Sequence, residues 1–157
     1  AYQKAYHLEL VGLSTPRPVA AAERRVLRVL TRSYLVTEEI PGATDMGTLL
    51  KSGQHPARDL VVQTAELIAR LHEEGFSHSD LKEANIVRNQ AGKLYLLDLD
   101  ALSYVRRVSE DRAVADLDRL VRAAAKYPNV RQADRRLFLR SYCKARKLTH
   151  VPRPAGG

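Results

Sequence analysis

Leu71-His-Glu-Glu-Gly-Phe-Ser-His-Ser-Asp-Leu-Lys-Glu-Ala-Asn-Ile-Val87, followed by Leu94-Tyr-Leu-Leu-Asp-Leu-Asp-Ala101, is the stretch that decides how this chain is read. Before it, Leu60, Thr64, Leu67, Ile68 and Leu71 share one face of a helix predicted over Asp59–Glu74, and Gly75 supplies the stop. After the loop, Asn85–Arg88 and Lys93–Leu97 read as a hairpin around Asn89-Gln-Ala-Gly92. Asp80, Lys82 and Asn85 therefore lie on a loop between a long helix and a hairpin, and Asp98 ends the second strand. Two carboxylates, an ammonium and a carboxamide at the mouth of a small β-structure suit a divalent cation and a phosphate, because Mg²⁺ takes oxygen ligands and keeps substrate phosphates in its shell. A carboxylate free of the metal can accept a proton from a hydroxyl. Taken singly, Asp80 and Lys82 read as a solvated turn, Asn85 as a cap and Asp98 as a strand end. The joint separations, five residues from Asp80 to Asn85 and thirteen from Asn85 to Asp98, carry the argument.

Outward from this centre the pattern is α+β. Tyr2, Tyr6 and Leu10 recur at four-residue spacing, as in the last turns of a helix stopped at Gly12. Thr15-Pro-Arg-Pro18 is an extended connector, and Val19–Glu23 and Ser33–Glu38 read as two short strands before the break at Pro41-Gly42. Met46–Lys51 is a short helix. Asp111–Tyr127 is helical up to Pro128, and Gln132–Lys147 forms a final basic helix. Residues 151–157 read as a flexible tail.

The 157 residues make one domain, and 45% apolar with 28% charged composition is that of a packed chain rather than a disordered one. No apolar run is long enough to cross a bilayer as a helix. The single cysteine, Cys143, excludes an internal disulfide and fits a reducing compartment, and the opening Ala1-Tyr2-Gln3-Lys4 carries no secretory pattern. A net charge of +8 points to an anionic partner. The aromatics do not alternate with basic residues and zinc-ligand spacing is missing, so no nucleic-acid partner is expected.

His78-Ser-Asp80-Leu-Lys82-x-x-Asn85 resembles the catalytic loop of the protein-kinase-like fold, with Asp98-Leu-Asp100 standing where kinases carry Asp-Phe-Gly. That resemblance implies that Asp80 acts as base toward an acceptor hydroxyl and Lys82 neutralises the transferring phosphate. It implies that Asn85 and Asp98 hold Mg²⁺, while His78 packs behind Asp98 and Asp116 opens the helix that braces the loop. The backbones of Glu38 and Ile40 would meet the adenine of ATP. Leu13-Ser-Thr-Pro-Arg-Pro-Val19, Tyr34-Leu-Val-Thr-Glu-Glu39, Leu71-His-x-x-Gly75 and Asp116-Leu-Asp-Arg-Leu120 together resemble the bacterial lipopolysaccharide kinases. Membership implies phosphorylation of a Kdo or heptose hydroxyl of the inner core, in the cytoplasm at the inner face of the membrane. Arg136, Arg140 and Lys144 share one stripe at four-residue spacing, either a solvated helix face or a peripheral surface that meets anionic lipid or the substrate's phosphates.

On this resemblance, residues 1–38 are the remnant of a kinase small lobe (the end of a helix and two strands), 39–45 the hinge and 46–150 the large lobe. The departures are Leu99 for the usual Phe, Ser79 where many protein kinases have Arg, and no Ala-Pro-Glu after Asp98. No Gly-rich loop or strand lysine precedes the opening helix, and Glu9 is too near its end to serve as the paired acid, so the small lobe is expected to be truncated. Two other readings remain at this point: a catalytically incomplete kinase-like binding module, and a protein kinase with a short substrate platform.

Overall fold

A computed structural model describes residues 2–53 and 55–152. The predicted tail lies mostly outside the described residues. Five helices and seven short strands follow in the order α1 (Tyr2–Leu10), β1 (Pro18–Val26), β2 (Val29–Thr37), β3 (Thr44–Asp45), α2 (Met46–Lys51), α3 (Arg58–Glu73), β4 (Phe76–His78), β5 (Ile86–Arg88), β6 (Leu94–Leu96), β7 (Leu102–Tyr104), α4 (Glu110–Ala124) and α5 (Gln132–Ala145).

The core forms where α3 lies against α5. Leu60, Thr64, Ala65, Ile68, Ala69 and Leu71 bury one stripe of α3, and Phe138, Tyr142 and Cys143 of α5 are buried in the same core. Leu81, Ile86, Leu96 and Leu102 extend this core under the loop that follows α3. Leu8 of α1 and Leu13 join it, and the Arg70 guanidinium donates to the Val11 carbonyl at 2.7 Å, tying the end of α1 to α3.

Three small antiparallel sheets complete the fold: β1–β2, β3–β5–β6 and β4–β7. The β1–β2 hairpin is longer than the sequence predicts because the register runs to Val26 and Val29, turning on Leu27 and Arg28 at φ 50° and 67°. It stands away from the core, with Val19, Val26, Leu30, Tyr34 and Val36 exposed. The β4–β7 pair escapes the sequence reading: each strand is three residues long, and Phe76, Ser77 and His78 are all buried, so no alternation marks them. Two expectations about the helices also differ. Asp116 sits well inside α4, whose N-cap is Ser109, its hydroxyl accepting from the Arg112 amide. Helix α5 ends at Ala145, and Lys147 is left-handed at φ 52°.

Gly75 joins α3 to β4 at φ +79°, and a Cβ there would lie 2.6 Å from the Arg106 carbonyl oxygen. Positive φ and a backbone clash act together, so Gly75→Ala is expected to cost about 3 kcal/mol of stability. Urea unfolding checks this; a loss under about 0.5 kcal/mol would show that the junction relaxes freely.

Candidate active site

The loop after β4 is held from both sides. The Ser79 amide and hydroxyl both donate to the Ala101 carbonyl, at 2.9 and 3.0 Å, while Leu81 is buried as an apolar anchor. Lys82 precedes a 3-10 turn, Glu83–Asn85, that leads straight into β5. Anchored so, the loop presents Asp80 and Lys82 half-exposed, with Nζ of Lys82 2.5 Å from Oδ2 of Asp80.

Asn85 is buried and links the parts. Its Nδ2 donates to the Asp80 carbonyl at 2.8 Å, and its own carbonyl accepts from the Leu97 amide at 2.8 Å. The carboxamide nitrogen only donates, so the carboxamide oxygen is the atom Asn85 can offer a cation. Leu97 immediately precedes Asp98, so this bond sets the start of the Asp98 segment beside the loop. Asp98 adopts φ 55°, ψ 60°, a left-handed backbone uncommon outside glycine and best tolerated by Asn and Asp. Buried Leu99 follows and pins the segment to the core. His78 is fully buried; its Nδ1 accepts from the Asp80 amide at 3.3 Å and its Nε2 lies 3.4 Å from the Leu97 carbonyl. One imidazole thus touches the residue ahead of Asp98 and the backbone of Asp80.

The charges interlock. The Lys82 ammonium, hydrogen-bonded to Asp80, holds that carboxyl below the ordinary aspartate value. In return Asp80 raises the Lys82 ammonium, and the negative charges of Asp98 and Glu83 add to the effect. The local charge set therefore holds Asp80 as a carboxylate and Lys82 as a cation at neutral pH. Among the described residues no group of three His, Cys, Asp or Glu side chains is gathered around a metal position. The donors at hand are the carboxylate of Asp98 and the carboxamide oxygen of Asn85. Two hard oxygens fit Mg²⁺ in the manner of nucleotide sites, where phosphates and water complete the shell.

Asp116 supports the loop from inside α4. Its Oδ2 accepts from the Ser77 hydroxyl (2.8 Å), the His78 amide (2.9 Å) and His72 Nε2 (3.3 Å), and Oδ1 accepts from Arg119 at 3.0 Å. Burial alone would raise this carboxyl, but the hydrogen bonds from His72, His78 and Ser77 outweigh it and hold it below the usual range. His72 bridges two elements: its Nε2–H is donated to the Asp116 carboxylate, and its Nδ1 lies 2.8 Å from the Tyr142 hydroxyl. Arg146 donates to the same hydroxyl at 3.0 Å, so a buried chain runs from the end of α5 to the backbone before Asp80. The sequence singles out neither His72 nor Tyr142 as a site residue, and only their tertiary partners reveal the connection.

The Glu38 amide donates to the Arg17 carbonyl at 2.9 Å, beside the end of β2. Ile40 is half-buried, and its carbonyl accepts from Ala43 at 3.1 Å. Asp45, not singled out in the sequence, caps α2 through the Thr48 amide at 2.9 Å. Beyond it the Tyr127 hydroxyl donates to Glu83 at 3.1 Å and supports the turn that carries Asn85.

The lipopolysaccharide kinase (Kdo/WaaP) family model matches residues 3–142. The 3-deoxy-D-manno-octulosonic acid kinase of Vibrio parahaemolyticus is 31% identical over 116 residues, covering 73% of this chain and 47% of that protein. The enzyme of the same name from Xylella fastidiosa is 29% identical over 123 residues, covering 78% of this chain and 48% of that protein. This chain spans about half the length of the curated relatives it matches. A solved structure, WaaP in complex with acyl carrier protein, superposes with a TM-score of 0.77 at 23% identity, covering 93% of this chain and 66% of that one. That likeness shows the α+β, protein-kinase-like fold. By the family model and these relatives, the chain belongs to the lipopolysaccharide kinase (Kdo/WaaP) family.

Proposed function

We propose that the protein is an ATP-dependent phosphotransferase that phosphorylates a sugar hydroxyl, Kdo or heptose, of the lipopolysaccharide inner core. The observation that carries this reading is the pair of hydrogen bonds through Asn85, which ties Asp80 and the Asp98 segment into one unit. The names of the relatives supply the substrate class. Asp80 accepts a hydrogen bond from the acceptor hydroxyl and takes its proton as that oxygen bonds to the γ-phosphorus and the bond to ADP breaks. Held below the ordinary value, Asp80 is a weak proton store, which suits orientation of the hydroxyl in a loose transition state. Lys82 offsets charge on the transferring phosphoryl group. Asn85 and Asp98 are the residues that would hold Mg²⁺, which when bound neutralises charge developing on the phosphates. The Glu38 carbonyl and the Ile40 amide are the backbone groups proposed for the adenine. The exposed Arg136, Arg140 and Lys144 on α5 are proposed to contact anionic lipid at the inner membrane.

The test is transfer of label from γ-labelled ATP to Kdo-bearing lipid A by the full-length protein with Mg²⁺. Label in the glycolipid supports the reading; label confined to protein substrates or to free phosphate overturns it. In the same assay Asp80→Ala is expected to lower kcat by roughly 10²–10⁴ while leaving the KM for ATP nearly unchanged. A variant that mainly raises the KM for ATP would place Asp80 on the nucleotide.

A further inference from the structure

We infer that a cleft between the first turn of α3 and the outer face of α5 is a binding site for phosphate groups, separate from the site of transfer. The cleft has a volume of about 520 Å³, and its walls include Arg58, the first residue of α3, and Arg136 and Arg140 of α5, with His55 and Asp134 between them. Arg140 follows Arg136 by four residues, so the two cations sit one turn apart on one face, a like-charge pair that disfavours the bare helix. A third cation faces them from another helix.

Neighbouring carboxylates do not neutralise this group. Asp59 beside Arg58 is paired with Arg88 at 3.5 Å, and Asp134 accepts from the Arg131 amide at 2.7 Å and lies 3.0 Å from His55 Nε2. Arg136 donates to the uncharged Gln132 at 2.9 Å. Among the described residues, none of the three guanidiniums is paired with a carboxylate, and one carboxylate, Asp134, faces them in the cleft. Ala57, which precedes Arg58 as the N-cap of α3, brings no capping side chain, so the positive end of a sixteen-residue helix borders the same space.

The residue type narrows the ligand. All three cations are arginines, whose planar forks match tetrahedral phosphate oxygens in paired hydrogen bonds. Lys144, which shares their stripe in the sequence, is outside the lining. Helix α3 separates this cleft from the catalytic loop: at 1.5 Å per residue its sixteen residues span roughly 24 Å, with Arg58 at one end and the loop beyond the other. The cleft therefore holds a phosphate carried elsewhere on the acceptor or on the surrounding lipid, not the one being transferred. In this it deepens the glycolipid reading under Proposed function, on which it rests for its biological meaning.

The test uses the full-length protein and inorganic phosphate as probe, with chloride at matched ionic strength as control. Phosphate is expected to raise the melting temperature beyond chloride. The Arg58→Gln/Arg140→Gln variant, with unchanged melting in chloride, should bind phosphate at least tenfold more weakly, while Lys144→Gln should bind as the wild type does. An equal phosphate response in the double variant, or none in the wild type, overturns the inference. Sedimentation with phosphatidylcholine vesicles, with and without phosphatidylglycerol, names the source. Vesicle binding lost in the double variant assigns the cleft to lipid headgroups; vesicle binding kept while phosphate binding is lost assigns it to sugar-borne phosphate. None of these readouts requires phosphoryl transfer, so failure of the kinase reading would register separately.

Discussion

Asp98→Asn is expected to lower kcat by roughly 10³ or more in the full-length protein, with the fold nearly unchanged. The magnitude follows from the proposed role: an anionic oxygen facing the metal is exchanged for a neutral one where charge is stabilised during transfer. The specificity follows from the backbone. Asp98 lies at φ 55°, ψ 60°, and Asn is the residue besides Gly that enters this region most readily, so the substitution keeps the turn into Leu99. Stability should change by less than about 1 kcal/mol. Near-normal turnover of the folded variant at saturating ATP and Mg²⁺ would remove Asp98 from the metal.

Asp116→Ala should be the costliest single change for the fold, about 3 kcal/mol or more by urea unfolding. The carboxylate is buried and accepts from Ser77, His78 and His72, so its loss leaves three buried donors without a partner while opening a small void. A pH series isolates the charge. The Asp116 carboxyl is held below its ordinary value in the folded chain, so its stabilisation is present above the unfolded value near 3.9 and is lost as pH falls through the lower folded value. Asp116→Asn should flatten that acid limb relative to wild type. Parallel acid limbs in the two proteins would show that Asp116 is not the titrating support.

Much of this was legible in the chain itself. The long helix, the hairpin after the loop and the separations among Asp80, Asn85 and Asp98 are local patterns, and the family resemblance built on them agrees with the family model over residues 3–142. The β4–β7 pair was not legible, because three fully buried residues show no alternation and the pairing spans the whole loop. The helix predicted over Asp111–Tyr127 agrees with α4 to within one residue at its start, where Ser109-Glu110-Asp111 supplies a cap and an acidic first turn, whereas Asp116, which the family resemblance sets at the helix opening, lies in its interior. Asp116 itself supports the loop through a tertiary contact with Ser77 and His78, which helical periodicity cannot show. The same limit hides Arg58: the basic stripe of α5 is visible in one helix, but its cleft needs a second.

The most direct test of the central claim compares Mn²⁺–ATP affinity, followed by electron paramagnetic resonance, in wild-type, Asp98→Asn and Asp80→Ala forms of the full-length protein. Asp98 is assigned to the metal and Asp80 to the acceptor, so the account predicts affinity roughly tenfold or more weaker for Asp98→Asn and nearly unchanged for Asp80→Ala. Wild-type affinity in Asp98→Asn, or an equal loss in both variants, would contradict it.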